Sequence, residues 1–312
     1  MIRRALGQTG LHIHPLVLGG NVFGWTADEA TSFDVLDAFV AGGGNCIDTA
    51  DVYSAWVPGH HGGESETVIG NWLARRGRRD DVIIATKVGW EAAPDRKGLK
   101  REYILRSVEE SLRRLRTDYI DLYYSHKDDL SLHVEEPLRA HEQLLREGKI
   151  RFIGASNFSA PRLREALSAS DLPRYQVLQP HYNLLERDEF ENELLPVCQG
   201  AGLGVLTYFS LASGYLTGKY RSSADLAGKA RMMMVGRYLS GRGPQVLAAI
   251  DVVAADLGAT PAQVSLAWLL AQPGVTAPIA SATSTAQLAE LLAATALELT
   301  REHLSLLSGR IS

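Results

Sequence analysis

Short apolar runs of strand length alternate along this chain with longer stretches whose apolar residues recur at helical spacing. The clearest runs are residues 16–18, 46–47, 82–85, 119–124, 150–153, 176–178, 204–206 and 275–279. Each is of strand length and most are rich in β-branched or aromatic residues. Between them, Ile104, Val108, Leu112 and Leu115 form one apolar stripe with Arg and Glu on the other faces. Phe33, Leu36 and Val40 form another, entered through Thr26-Ala27-Asp28-Glu29, the pattern of a capping box. Thr260-Pro261-Ala262-Gln263 combines an N-cap, a proline at the first helical position and a capping glutamine ahead of Val264, Leu266, Ala267 and Leu270.

Roughly eight strands, nearly all followed by a helix, imply parallel pairing with right-handed crossovers. Two architectures fit, a doubly wound open sheet and a closed barrel. An open dinucleotide-binding sheet carries Gly-x-Gly-x-x-Gly between its first strand and helix. Gly19-Gly20 and Gly42-Gly43-Gly44 lack that spacing, and the second set stands where a helix C-cap belongs. The expected fold is therefore an α/β (β/α)8 TIM barrel. A β-hairpin over 3–13 precedes it, and a long loop follows strand 7, over about 208–243 and including Met232-Met233-Met234. No Gly/Ser-rich or Pro-rich linker divides the chain, so residues 1–312 read as one barrel domain.

Composition narrows the function classes. A net charge of -4 gives no electrostatic reason to expect nucleic acid or an anionic membrane as partner. Two cysteines, Cys46 and Cys198, in apolar surroundings suggest a reducing compartment without a disulfide framework. The N-terminus lacks the apolar run of a signal peptide, and no apolar segment reaches the ~18 residues that span a bilayer. The expectation is a cytoplasmic protein acting on a small molecule.

In such a barrel the active-site groups stand at the C-terminal ends of the strands and in the loops that follow. Asp48 ends the second strand in Ile47-Asp48-Thr49-Ala50-Asp51-Val52-Tyr53, with Tyr53 in the next loop. Lys87 ends the third, in Thr86-Lys87-Val88, and His126 the fourth, in Asp121-Leu122-Tyr123-Tyr124-Ser125-His126. Singly, each has an ordinary explanation: a turn cap, a solvent-seeking lysine, a packed tyrosine, a hydrogen-bonded histidine. Together, neighbouring strands deliver them to one rim. Reducing a carbonyl needs a hydride at carbon and a proton at oxygen, and a tyrosine with a pKa near ~10 is a weak acid for that purpose. An adjacent ammonium stabilises the phenolate, and a lowering of about two to three units corresponds to roughly 3–4 kcal/mol. Lys87 supplies the charge in this reading and Asp48 holds it. His126 then orients the substrate oxygen as a neutral donor whose tautomer is set by a second partner.

These four segments resemble the catalytic tetrad of the aldo-keto reductases, and the similarity continues along essentially the whole chain. The resemblance implies Asp48, Tyr53, Lys87 and His126 as catalytic residues, with Tyr53 as general acid, and an NADP(H) cofactor, with NAD(H) as the alternative. Gly154-Ala155-Ser156-Asn157-Phe158 resembles the segment whose Ser and Asn hold the nicotinamide carboxamide, and Gln179 in Leu178-Gln179-Pro180-His181-Tyr182-Asn183 would hold the same amide. Tyr208-Phe209-Ser210-Leu211-Ala212-Ser213-Gly214-Tyr215-Leu216-Thr217-Gly218-Lys219-Tyr220 resembles the loop that stacks an aromatic ring on the nicotinamide and covers the pyrophosphate. The cofactor contacts it implies are Gly20, Asn21, Asp48, Ser156, Asn157, Gln179, Tyr208, Ser210, Leu211, Gly214, Leu216, Gly218, Lys219, Ser281, Thr283 and Gln287. The individual loop glycines read equally well as permitting backbone geometry alone.

One departure stands out. Many members carry an Arg or Lys for the 2′-phosphate after the last strand, whereas this chain reads Ala280-Ser281-Ala282-Thr283-Ser284-Thr285-Ala286-Gln287. Free N–H groups at a helix start there suit an anion, Ser284-x-x-Gln287 has the form of a capping box, and Lys219, Arg221, Lys229 or Arg231 are the candidates for the missing charge. Trp25, Trp56 and Trp90 fall in the loops after strands one to three, which places them around the substrate mouth with Tyr53 and His126. His60-His61 has no acidic or cysteine partner in view, so no metal is expected. The leading function is reduction of an aldehyde, ketone or sugar. A nicotinamide-binding regulatory subunit, like the potassium-channel β-subunits that resemble the same family, is the first alternative, and a Schiff-base lyase using Lys87 the second.

Overall fold

Two short strands, β1 (Arg4–Ala5) and β2 (His12–Ile13), pair antiparallel at the start of the chain. In the computed structural model, which describes residues 3–228 and 232–309, eight further strands close into a parallel barrel. They run in chain order as β3 (Val17–Gly19), β4 (Cys46–Asp48), β5 (Ile83–Val88), β6 (Ile120–Ser125), β7 (Ile150–Ser156), β8 (Val177–Gln179), β9 (Gly204–Thr207) and β10 (Ala277–Ala280). β10 pairs with both β9 and β3, which closes the ring. The expected (β/α)8 barrel with its N-terminal hairpin is the observed fold.

Helices α1 (Glu29–Ala41), α2 (Glu64–Arg76), α3 (Arg101–Leu115), α4 (Glu135–Arg146), α5 (Ala160–Ser168) and α6 (Leu195–Ala201) each return the chain to the next strand. A short α7 (Met232–Gly236) and then α8 (Gly243–Leu257) and α9 (Pro261–Leu270) lie between β9 and β10, and α10 (Thr285–Ala293) and α11 (Arg301–Leu307) close the chain. The stripes on α1 and α3 face inward as their spacing requires: Phe33, Leu36, Ile104, Val108 and Leu115 join Trp72 and Trp268 in the layer between helices and barrel. The Thr260 capping box on α9 forms as read. The one before α1 does not. Ala27 N–H donates to Val22 O and Ala27 O accepts from Gly24 N–H, which puts Ala27 in the turn ahead of the helix, and α1 begins at Glu29, two residues later than a Thr26 cap would start it. Asp28 caps instead, accepting from Thr31 N–H at 2.8 Å.

A second cluster fills the barrel itself, with Val17, Cys46, Ile83, Ala85, Leu122, Tyr124, Val177, Leu206, Ala277 and Ile279 packed together. Leu6 and Ile13 of the hairpin belong to it and plug the N-terminal end. Gly154 makes room for the largest of these side chains: a Cβ there would lie 2.4 Å from the Tyr124 ring. The connection after β9 is not a structureless loop. It carries 3-10 turns over Ala212–Thr217 and Ser223–Leu226, the second closed by a capping box between Ser222 and Asp225. Among the described residues no single helix is long and apolar enough to cross a membrane; α8 and α9 together have the length but are bent by 96°.

Candidate active site

Side chains along a strand alternate, so each barrel strand sends every second residue inward. Cys46 is interior and Asp48 follows two residues on; Ala85 is interior and Lys87 follows; Leu122 and Tyr124 are interior and His126 follows; Val177 is interior and Gln179 follows. The same period that packs the barrel with apolar groups therefore ends, at its C-terminal rim, in polar ones. Backbone bonds continue past the strands to hold them there, with Thr49 N–H donating to Ala85 O at 2.8 Å, Asp51 N–H to Lys87 O at 3.1 Å and His126 N–H to Val88 O at 2.8 Å.

The four tetrad candidates come together. Lys87 is fully buried, and its Nζ donates to Asp48 Oδ2 at 2.6 Å, Thr49 O at 2.7 Å and Tyr53 Oη at 3.4 Å. Burial alone would push the Lys87 ammonium down, but Asp48 and then Tyr53 outweigh it and leave it above its ordinary range. The Tyr53 and His126 rings lie 6.0 Å apart, edge to face. Burial, followed by the Lys87 charge, holds His126 well below the usual imidazole range, so the ring is neutral at physiological pH.

Two expectations about this group need correction. Lys87 does not bring the Tyr53 phenol below its ordinary value. Burial raises it, the ammonium opposes without cancelling, and Asp48 and Asp51 add to the rise. The reason is geometric: Lys87 is already engaged at short range by Asp48 and Thr49, and its bond to Tyr53 is the longest of the three. Nor is the His126 tautomer set by a second partner, because its buried Nδ1 has none among the described residues.

The residues that resembled a nicotinamide cradle form one hydrogen-bonded group beside the tetrad. Ser156 Oγ donates to Gln179 O at 2.9 Å, Asn157 Nδ2 donates to Ser156 Oγ at 3.0 Å and to His126 O at 2.8 Å, and Tyr208 Oη donates to Asn157 Oδ1 at 2.7 Å. Gln179 Nε2 donates to Asp48 Oδ1 at 2.9 Å, which ties the group to Lys87. After β9, Phe209, Ala212, Ser213 and Gly214 all have left-handed φ values, between 47° and 99°. Non-glycine residues in that region are uncommon and gather at ligand clamps. Ser210 is buried and bonded to Thr207 O at 2.9 Å, and Leu216 is buried beside it in the curl, with Leu211 partly exposed at its edge. Lys219 closes over this curl: a Cβ on Gly214 would lie 3.5 Å from its Nζ. Gly218, also left-handed, ends the turn. Gly20 sits where a Cβ would come within 2.8 Å of Ser65 Oγ and 3.2 Å of Asp48 O, so only glycine lets the backbone run so close to the tetrad.

At the far end, Ser281 Oγ bonds to Asn21 Oδ1, which joins the loop after β3 to the loop after β10. The Ser284–Gln287 capping box forms by half. Ser284 Oγ accepts from Gln287 N–H at 3.2 Å, but Gln287 Oε1 turns to Thr283, accepting from its N–H at 2.9 Å and its Oγ1 at 3.0 Å. Of the candidate cations, Arg221 is held by Asp251 in a two-pronged pair at 2.5 and 2.8 Å, Lys219 forms no ion pair among the described residues, and Lys229 and Arg231 lie outside them.

The mouth is aromatic. Trp56 packs edge-on against Trp25 at 5.6 Å and Tyr53 at 5.7 Å, and Trp90 lies 5.1 Å from His126. Tyr208 stacks on His181 at 5.2 Å with only 18° between the planes. His181 was not singled out from the sequence, although it stands inside the Gln179–Asn183 motif. His60 Nδ1 meets Ser54 Oγ at 2.9 Å, and among the described residues no three His, Cys, Asp or Glu side chains are placed to hold a metal ion.

Behind the tetrad lies a group that sequence reasoning missed. Asp51 is buried with Oδ1 unpartnered among the described residues, while Glu66 accepts from Thr86 Oγ1 at 2.6 Å and Arg114 Nε at 2.7 Å. Burial, then the Glu66 carboxylate, pushes Asp51 up to about 8. A carboxyl raised in the folded state binds a proton there that the unfolded chain has already lost. Stability is therefore full below about pH 4 for this group and falls as pH rises toward 8. Asp51→Asn is expected to flatten that fall, by up to about 1.4 kcal/mol per pH unit, in urea denaturation at pH 5, 6, 7 and 8. An unchanged slope would show that Asp51 ionises normally.

Comparison with known proteins decides the family. The model described as the aldo/keto reductase family matches residues 15–309. The chain belongs to that family. Relatives across nearly its whole length include the Uncharacterized oxidoreductase YrpG of Bacillus subtilis (strain 168), 36% identical over 97% of this chain and 94% of that one. A Probable voltage-gated potassium channel subunit beta of Arabidopsis thaliana is 34% identical over 91% of this chain and 88% of its own length. Norsolorinic acid reductase of Aspergillus flavus (strain ATCC 200026 / FGSC A1120 / IAM 13836 / NRRL 3357 / JCM 12722 / SRRC 167) is 34% identical over 72% of this chain and 60% of its own. Aldo-keto reductases bind nicotinamide cofactors, and the general role of this chain is that of an oxidoreductase.

Proposed function

We propose that the chain, working as one barrel unit over residues 1–312 in the cytoplasm, reduces aldehydes or ketones with NADP(H), with Tyr53 as the proton donor. The observation that carries this reading is the buried Asp48–Lys87–Tyr53 contact at the barrel mouth, facing a neutral His126. A bound reduced nicotinamide supplies the hydride. Ser156, Asn157 and Gln179 would hold its carboxamide by exchanging the bonds they now make to one another and to Asp48, and Tyr208, backed by His181, would take the ring. Ser210, Leu211, Gly214, Leu216, Gly218 and Lys219 would close over the pyrophosphate, and Gly20, Asn21, Ser281, Thr283 and Gln287 would border the adenosine end.

The protein groups then divide the work. Neutral His126 donates a hydrogen bond to the carbonyl oxygen and fixes its direction. Tyr53 passes its phenolic proton to that oxygen as charge develops, and the Lys87 ammonium stabilises the phenolate left behind. Asp48 keeps Lys87 charged and aimed. That pairing also opposes a Schiff-base role, which needs a neutral amine. Trp25, Trp56 and Trp90 would wall the substrate, which favours apolar and aromatic carbonyl compounds over sugars.

The test is turnover. Nicotinamide absorbance is expected to fall when 4-nitrobenzaldehyde is added to the protein with NADPH, and to fall more slowly with NADH. The likeness to the Arabidopsis channel subunit favours a second reading, a nicotinamide-binding regulatory subunit. Tight cofactor binding without turnover over a broad carbonyl panel would select it instead.

A further inference from the structure

An exposed cation beside the mouth has no part in the chemistry above. Lys127 follows His126 at the end of β6, is exposed, and places its Nζ 5.5 Å from the centre of the Trp90 ring. Trp90 in turn lies 5.1 Å from the His126 ring. The two spans together put the ammonium no more than about 11 Å from the His126 ring, a distance that a para-substituted aromatic aldehyde with a contact at each end can bridge.

The neighbouring carboxylates have other partners than Lys127. Asp128 is paired with Arg162 at 2.8 and 3.1 Å. Asp129 accepts from Ser131 and from Leu99 N–H, and Glu91 is paired with Lys97 at 3.2 Å. Lys127 itself forms no ion pair among the described residues. Lys87, by contrast, is buried and held by Asp48, so its charge is not open to a substrate's far end. An exposed ammonium that rests on an aromatic wall and forms no ion pair among the described residues suits a ligand with a flat body and a negative group.

We propose that Lys127 is a specificity-determining residue that favours carbonyl substrates bearing a carboxylate. This rests on the reductase reading, which names Tyr53 and His126 as the groups at the reacting carbonyl. The ammonium is solvated, so its attraction is modest and screened by salt. Its effect falls on substrate capture, not on the chemical step.

The experiment compares 4-formylbenzoate with its methyl ester, using the full chain and its preferred nicotinamide. The wild-type protein is expected to show kcat/KM about tenfold higher for the acid at low ionic strength, carried by KM, with the gap closing in about 0.5 M NaCl. Lys127→Arg keeps the preference, Lys127→Ala removes it and Lys127→Glu inverts it, while the ester responds far less. Quenching of tryptophan fluorescence by benzoate gives a second readout without turnover, and its affinity is expected to drop in Lys127→Ala. Equal handling of acid and ester by the wild type, or equal losses for both in Lys127→Ala, overturns the proposal. Failure of both aldehydes to turn over with NADPH and NADH overturns the reductase reading, and this inference with it.

Discussion

Replacing Tyr53 with Phe is expected to lower kcat for carbonyl reduction by about 10²–10⁴-fold, the usual weight of a positioned general acid. The substitution removes one hydroxyl and little else. Its ring still packs against Trp56 and His126, and Lys87 loses only its longest bond, at 3.4 Å. Affinity for the nicotinamide, read by fluorescence titration, should stay within about twofold, because Tyr53 belongs to none of the bonds joining Ser156, Asn157, Gln179 and Tyr208. The wild-type pH profile carries a further consequence. Reduction needs the phenol protonated, and burial holds its pKa above the ordinary value, so the rate in that direction should begin to fall only at a higher pH than ionisation of a free phenol would dictate. Oxidation needs the phenolate and should climb through the same range. Full activity of Tyr53→Phe on a slow ketone would remove Tyr53 from the mechanism, and a reductive rate falling from pH 7 upward would show that the acting acid ionises below the ordinary phenol range.

The parts of the molecule that could be read in advance are those governed by local periodicity. The barrel strands appear where the apolar runs stand, but the runs end short: 82–85 became Ile83–Val88, 150–153 became Ile150–Ser156 and 176–178 became Val177–Gln179. The added residues include Lys87, Ser156 and Gln179. Polar side chains at a rim interrupt the hydrophobic pattern even though the backbone ladder runs on, so the strand ends hardest to read are the ones that carry the site. The grouping of the four candidates was legible because Asp48, Lys87 and His126 stand at or just past the ends of their own strands and Tyr53 follows Asp48 in the adjoining loop. What stayed hidden depends on residues far apart in the chain. No spacing rule pairs Glu66 with Arg114 or closes Asp51 behind them, and burial of that carboxyl is a property of the helix layer, not of the motif. The Tyr53 phenol shows the same limit: identity and neighbourhood were evident, but the balance between desolvation and a nearby charge depends on which other groups already hold that charge.

The second large effect concerns Lys87, where structural and chemical roles must be separated. Lys87→Met strands Asp48, which is buried with Oδ2 bonded to the ammonium at 2.6 Å and Oδ1 to Gln179 Nε2 at 2.9 Å. Removing one partner of a buried ion pair leaves an uncompensated charge and typically costs about 3–5 kcal/mol. Urea denaturation at pH 8 should show a loss of that order. Asp48 will escape part of it by taking up a proton. A carboxyl whose folded pKa is raised contributes stability that is present at low pH and lost as pH rises, so the deficit of the single variant should shrink between pH 8 and pH 5. The double variant Asp48→Asn with Lys87→Met has no charge to strand and should recover most of the stability at every pH. It should not recover activity, since the phenolate left by Tyr53 would then face no ammonium. Stability restored with activity still absent separates the two roles. A double variant as unstable as the single one would mean that the loss comes from packing around the introduced methionine side chain and not from Asp48.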